Sequence, residues 1–210
     1  SRVDFRKSVG KDLNIRNPYV EKECTVTNFS DITQRTIEAC KQQSPANGLC
    51  HLRIYLKKIG EMADPTEFRF GMKAFGVEIS EDEMTALLKC FDYGRTGKLC
   101  IADMLYAMRS NSFTGVRENL VCKAYAHLQK QGPVTIGLLE RNYDVKCNPQ
   151  FQRGEKSQAQ LTQEFLACLG SSSLDTPVSC EQFCEYYRDV SPTIIEDKTW
   201  ANMINNTWGM

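Results

Sequence analysis

Apolar residues recur at three- and four-residue steps in one short segment after another from Ser30 to the end of the chain. This spacing is typical of amphipathic helices. Three helix starts are marked by capping residues: Ser30 before the first segment, Asp64 followed by Pro65, and Ser80 with Glu83 as a capping box. The pattern therefore predicts an all-α protein built from short helices.

The predicted helices are organised as a fourfold repeat. Four times a helix runs into a short polar loop and then a second helix, with loops that begin near Gly60, Asp92, Gln129 and Gly170. Helix–loop–helix units repeated in even number at roughly 30–40 residues are typical of paired EF-hands. We expect two such pairs, at 30–113 and at 114–210, and the second includes a C-terminal helix.

Each EF-hand pair is expected to join its two loops through a short two-stranded sheet. An aliphatic residue near the end of each loop forms this pairing, and Leu99, Val134 and Val178 are the candidates in the second, third and fourth units.

Residues 1–29 show no sustained apolar period and are predicted to form an extended tail outside the paired units. The first 22 residues contain six basic and three acidic side chains. A tail of this composition is either ordered by a partner or simply disordered, and the sequence leaves both open. If a partner orders it, Arg6, Lys7 and Lys11 are the candidate contacts.

The loop at 92–103 is the best match to a calcium-binding loop. The pattern D-x-[DN]-x-[DN]-G-x5-E supplies an oxygen cage, and Asp92 and Gly97 keep its first and sixth positions. Gly94 offers no side-chain ligand at the third position, Thr96 replaces a carboxylate at the fifth, and Asp103 is one methylene short at the twelfth. We expect negligible calcium affinity here, with Asp92, Thr96 and Asp103 as weak residual ligands.

The other three loops are poorer matches. Residues 60–67 are four too few to wrap an ion, residues 129–138 contain no carboxylate, and residues 170–182 offer only Asp175 and Glu181. The sequence therefore predicts no bound metal or cofactor, and calcium only if the loop at 92–103 retains affinity.

Charge and cysteine content narrow the class of protein. The 26 basic and 26 acidic residues balance, which argues against a nucleic-acid or membrane-surface partner. No apolar run is long enough for a membrane span, and the first 17 residues contain no apolar secretion signal. Ten scattered cysteines without a C-x-x-C motif predict reduced thiols without metal, in the cytoplasm.

Several motifs of the C-terminal half are specific: NPQF at 148–151, QEFL at 163–166, EQFCEYY at 181–187 and WANMINNTW at 200–208. In these the chain resembles the calcyphosines, a family of small proteins with four EF-hands. The similarity extends from about residue 37 to the end and implies the EF-hand fold. Calcyphosines have acidic, calcium-binding loops, whereas here only Asp92 matches those ligand sets.

Three functions can be compared from the sequence, and two of them remain open. The first is a structural or adaptor protein that binds protein partners constitutively; by resemblance to calcyphosine relatives of ciliated cells, it would act in the axoneme on tubulin or associated proteins. The second is a calcium sensor with one residual site at 92–103. Catalysis is not expected, because His51 and His127 lie on ordinary helical faces. Trp200 is expected in the core, and Trp208 is a candidate partner contact because Trp is enriched at interface anchors.

Overall fold

The computed structural model describes residues 26–109, 112–170 and 173–210, with side chains from residue 29 onward. Its first half contains α1 (Val26–Gln43), α2 (Cys50–Ile59), β1 (Met62–Ala63), α3 (Pro65–Ala74), α4 (Glu81–Phe91), β2 (Leu99–Cys100) and α5 (Ile101–Arg109). Its second half contains α6 (Gly115–Gln129), α7 (Ile136–Asn142), α8 (Pro149–Gln152), α9 (Gln158–Cys168), α10 (Cys180–Val190), a 3-10 turn (Ser191–Thr193) and α11 (Asp197–Trp208). The predicted all-α class is confirmed. In these ranges no helix has the length and apolar content to cross a bilayer.

Local capping determines two of the three predicted helix starts. The Asp64 carboxylate accepts a hydrogen bond from the Thr66 amide at 2.8 Å, directly before Pro65. Ser80 and Glu83 bond each other's backbone amides as the predicted capping box.

The prediction for the first helix start is wrong. Helix α1 already begins at Val26, so Ser30 lies inside it and is not its N-cap. The Phe29 ring packs 5.2 Å from the Phe91 ring of α4, measured between centroids. This contact between residues distant in sequence stabilises the first turn of α1, which precedes the start that the local pattern indicates.

The four helix–loop–helix units form two pairs through their loops. Ala63 in the first loop pairs with Leu99 in the second, in the antiparallel sheet of β1 and β2. The amide of Val178 donates to the carbonyl of Val134 at 2.9 Å and joins the third and fourth loops. The predicted loop-pairing residues are therefore confirmed, and the paired units are EF-hand-like.

The buried side chains form two clusters. One contains residues between Ile32 and Met108, and the other contains residues between Val121 and Trp208 together with Cys50. Helix α2 contributes to both, since Leu52 belongs to the first cluster and Cys50 to the second. Phe113, the last residue before the expected division, also packs against the second cluster, so the two clusters do not by themselves define that boundary.

A buried ionic cluster lies where the two halves meet. Asp189 on α10 is fully buried, and its two carboxylate oxygens lie 2.6 Å from Arg53 Nε and 2.5 Å from Arg109 Nη2. Arg109 also contacts Glu185 at 2.8 Å. Because Arg53 and Arg109 belong to α2 and α5, this cluster joins the second half of the chain to the first.

The backbone reinforces this junction beside Asp189. The Leu49 amide donates to the Asp189 carbonyl at 3.0 Å. Gly48 precedes it at φ +52°, and a Cβ there would overlap the Asp189 carbonyl oxygen. Only glycine allows both the left-handed conformation and the close approach of the two segments.

Opposing effects act on the carboxyl groups of the cluster. Burial, the larger effect, raises the pKa of Asp189, while Arg109 and Arg53 act to lower it. For Glu185 burial also raises the pKa, but Arg109 and Arg188 together outweigh it and hold the pKa below its ordinary value. The arginines therefore offset much of the desolvation cost of burying these acids.

Candidate functional site

The loop at 92–103 is closed by its own first carboxylate. Asp92 Oδ1 accepts hydrogen bonds from the Thr96 amide at 2.9 Å and the Thr96 hydroxyl at 3.1 Å, and Oδ2 accepts one from the Gly97 amide at 2.7 Å. The Thr96 hydroxyl in turn accepts from the Lys98 amide at 3.3 Å. Three of the roughly four acceptor positions of this carboxylate are thus occupied by the loop itself.

These bonds also set the charge state of Asp92. Desolvation acts to raise its pKa, but the hydrogen bonds from Thr96 and Gly97 outweigh it and lower the pKa below its ordinary value. Arg95 adopts φ +53° beside it, in the left-handed region. The carboxylate is therefore ionised at neutral pH, and loop amides stabilise the charge.

The third residual ligand candidate, Asp103, lies in the first turn of α5. Its charge acts on Tyr93 at the start of the loop: burial first, and the Asp103 carboxylate second, raise the pKa of Tyr93 to about 12. The structure thus brings Asp92 and Thr96 into direct contact and places Asp103 beside Tyr93.

Polar side chains of the third and fourth loops are also used within the protein. Thr135 accepts a hydrogen bond from the Leu138 amide at 3.2 Å and caps α7. Glu181, one of the two acids of the fourth loop region, accepts from Arg188 at 2.5 Å. These groups stabilise helix ends and ion pairs.

An apolar groove of about 550 Å³ is lined mainly by the second half of the chain, together with residues 41, 45 and 46 of the first half. We call it the α10–α11 groove, and its walls include Tyr143, Val145, Tyr187, Ile194, Ile195 and Met203. Lys41, Asp144 and Glu196 supply charge at the lining. Ile195 is 90% exposed, so this groove presents uncovered apolar surface.

The expectation that Trp208 contacts a partner does not fit its position. Its side chain is only 3% exposed, and its Nε1 donates to the Tyr187 hydroxyl at 2.7 Å. It packs against the rings of Phe165 and Phe183. Helix α11 folds back onto the core and buries this residue. Removing the apolar indole from water stabilises this arrangement.

Trp200 lies in the core as predicted. It is 1% exposed, packs against Tyr187 and Phe113, and has the Arg117 guanidinium 5.2 Å above its ring. The other predicted partner contacts, Arg6, Lys7 and Lys11, lie outside the described residues.

The cysteines differ from the prediction in two ways. Cys90 is disulfide-bonded, so the expectation of free thiols throughout is wrong there. The described free cysteines are Cys40, Cys50, Cys100, Cys122, Cys147, Cys168, Cys180 and Cys184. Three of these, Cys122, Cys180 and Cys184, come together with their sulfur atoms within 4.8 Å of one another. Spacing in the sequence does not reveal which thiols meet in the fold.

Sequence reasoning also missed the ionic cluster at Asp189 and the α10–α11 groove. A weak signal was present for the thiols: Cys180 and Cys184 are four residues apart on one helix, which places them on one face. The sequence contained no comparable signal for the groove, because the walls of the groove come from segments far apart in the chain.

Paired helix–loop–helix units joined by loop strands define an EF-hand-like fold. No family model matches the chain. The chain is 27% identical over 145 residues to crustacean calcium-binding protein 23 of Faxonius limosus, a match that covers 68% of this chain and 71% of that protein. This similarity supports a relationship to EF-hand calcium-binding proteins.

Proposed function

We propose that this protein is a non-catalytic EF-hand-like adaptor that has lost calcium binding and engages protein partners constitutively. The observation that carries the proposal is the closure of the loop at 92–103 by Asp92. In a calcium sensor an ion orders the loop and drives the opening of the helix pair. Here loop amides and a hydroxyl donate hydrogen bonds to the carboxylate, and Arg95 and Lys98 add positive charge to a loop that in a calcium site is acidic.

The α10–α11 groove is the proposed partner surface. Its apolar walls suit the apolar face of an amphipathic helix, the usual ligand of a hydrophobic groove between helices. The ionic cluster at Asp189 supports a rigid arrangement of the two halves, so that no ion is needed to present the groove.

A calcium-binding regulatory protein with a residual site at 92–103 is the second candidate. It is favoured by the similarity to a crustacean calcium-binding protein and by the retained Asp92 and Gly97. Membership of the calcyphosines, the axonemal location and tubulin as a partner rest on the resemblance of residues 148–208 and are proposals.

Calcium should produce no heat of binding and should leave the stability of the protein unchanged. We expect isothermal titration to show no saturable site below about millimolar calcium, because the loop at 92–103 lacks most of its oxygen ligands. The Tm should be the same in 1 mM calcium and in chelator. A site of micromolar affinity would instead add about 4 kcal/mol at that concentration, which is a shift of about 8–16 °C.

Asp92→Ala separates the two candidates. If Asp92 only closes the loop, the variant lowers the Tm by the same amount with and without calcium. A calcium-dependent Tm in the wild type that Asp92→Ala abolishes would establish the second candidate and overturn the first.

Partner binding should depend on the groove and not on calcium. Ile195→Asp places a charge on exposed groove surface, whereas Phe70→Asp makes the matched change at a 73%-exposed site on α3. We expect proteins crosslinked to the wild type in chelator to be lost with Ile195→Asp and kept with Phe70→Asp. Equal retention by both variants would contradict the groove as the partner surface.

A further inference from the structure

Three thiols from two helices converge beside the fourth loop. Cys122 lies in the middle of α6, and Cys180 and Cys184 lie one turn apart on α10. The Cys122 and Cys184 sulfur atoms are 3.9 Å apart, and all three sulfur atoms lie within 4.8 Å of one another. All three are free thiols.

One sulfur separation in the cluster matches that around a tetrahedral metal ion, and the other two lie within 4.8 Å. Zinc–thiolate bonds of about 2.3 Å at tetrahedral angles place sulfur atoms about 3.8 Å apart. This value is close to the observed 3.9 Å, so small side-chain rotations suffice to bring three sulfur atoms to one centre.

The protein around the thiols fixes their relative positions on both sides. One turn before Cys122, Glu118 on α6 lies 3.3 Å from the Arg188 guanidinium on α10. One turn after it, the Tyr125 hydroxyl donates to the Val178 carbonyl at 2.7 Å, just ahead of α10. The thiols therefore lie between one ion pair from α6 to α10 and one hydrogen bond from α6 to the segment just before α10, an arrangement that favours a preorganised ligand set.

The site is open on one side. Cys184 is buried, whereas Cys122 and Cys180 are half-buried, so an ion can reach the cluster from solvent. Among the described residues no fourth Cys, His, Asp or Glu joins the cluster, which leaves one coordination position for water or an external thiol.

We propose that Cys122, Cys180 and Cys184 form a three-thiolate site for a thiophilic d10 divalent cation of the Zn(II) class. Each thiol gives its proton to solvent as its sulfur binds, so three protons leave for each ion. A divalent ion leaves the site with one net negative charge, whereas a monovalent ion would leave two and cost more in this partly buried position. The ion would tie the first helix of the third unit to the second helix of the fourth, independently of the EF-hand loops.

The test uses the full chain, reduced and stripped of metal. Zn(II) is titrated in competition with a chromophoric chelator, and Cd(II) is followed by its thiolate charge-transfer absorption in the ultraviolet. We expect one ion per chain at these thiols, no competition by calcium, and a higher Tm with Zn(II) by mass action.

Variants assign the site to these three sulfur atoms. Cys180→Ser and Cys122→Ser, both at half-buried positions, should each weaken binding by at least about tenfold and reduce the charge-transfer absorption. Cys147→Ser, at an exposed cysteine outside the cluster, should bind as the wild type does.

Three results would overturn the proposal. They are unchanged Cd(II) absorption in both cluster variants, loss of binding only with Cys147→Ser, and a disulfide within the cluster of the untreated protein that excludes metal. Circular dichroism of each variant verifies the fold, and Cys180→Ser alone decides the outcome if Cys122→Ser unfolds.

Discussion

Replacing Asp189 by alanine should lower the free energy of unfolding by about 3–5 kcal/mol, the cost of leaving buried charges without their partner. Arg53 Nε lies 2.6 Å from Asp189, and the Arg53 side chain is 11% exposed. Arg109 retains Glu185 at 2.8 Å, so most of the loss should come from Arg53. Urea unfolding of the wild type and the variant measures the difference.

Asp31→Ala is the matched control because it removes an aspartate from an exposed ion pair, with Arg35 at 2.9 Å. Its expected cost is about 0.2–1 kcal/mol. Adding Arg53→Met to Asp189→Ala should recover part of the stability, since the unpaired charge is then gone. Equal costs for Asp189→Ala and Asp31→Ala would show that the buried cluster does not hold the two halves together.

Trp208→Ala should cost about 3–5 kcal/mol, because it removes a buried indole and leaves a cavity among aromatic rings. For a chain of this size the Tm should fall by about 6–20 °C. The variant also leaves the Tyr187 hydroxyl without the hydrogen bond donated by Trp208. Thermal unfolding followed by circular dichroism measures the effect.

Met210→Ala tests the same terminus at an exposed position and should change stability by no more than about 0.5 kcal/mol. If Trp208→Ala does not fold, Trp208→Phe retains most of the apolar volume and should show a smaller loss. A variant Trp208→Ala with wild-type Tm that loses its partners would instead restore Trp208 as a surface contact.

The helical class, two of the three predicted helix starts and the pairing of the loops follow from the sequence alone. Amphipathic periodicity and capping depend on residues three or four positions apart, and such short-range interactions operate wherever the segment lies. Asp64, Ser80 and Glu83 act as predicted for this reason. The poor calcium ligand set at 92–103 can likewise be predicted from the sequence, because each ligand position is defined by its distance from Asp92 along the chain.

Only the tertiary structure decided which residues meet across the fold. Arg53 and Asp189 are 136 positions apart, and Cys122 and Cys184 are 62 apart. From the sequence alone Asp189 is expected on the exposed, polar face of an amphipathic helix, because burying an isolated charge costs too much free energy. Its burial becomes acceptable only when α2 and α5 bring two arginines to it, and Trp208 becomes a core residue only when α11 folds back over Phe165 and Phe183. Helix packing sets those encounters, and no local pattern encodes it.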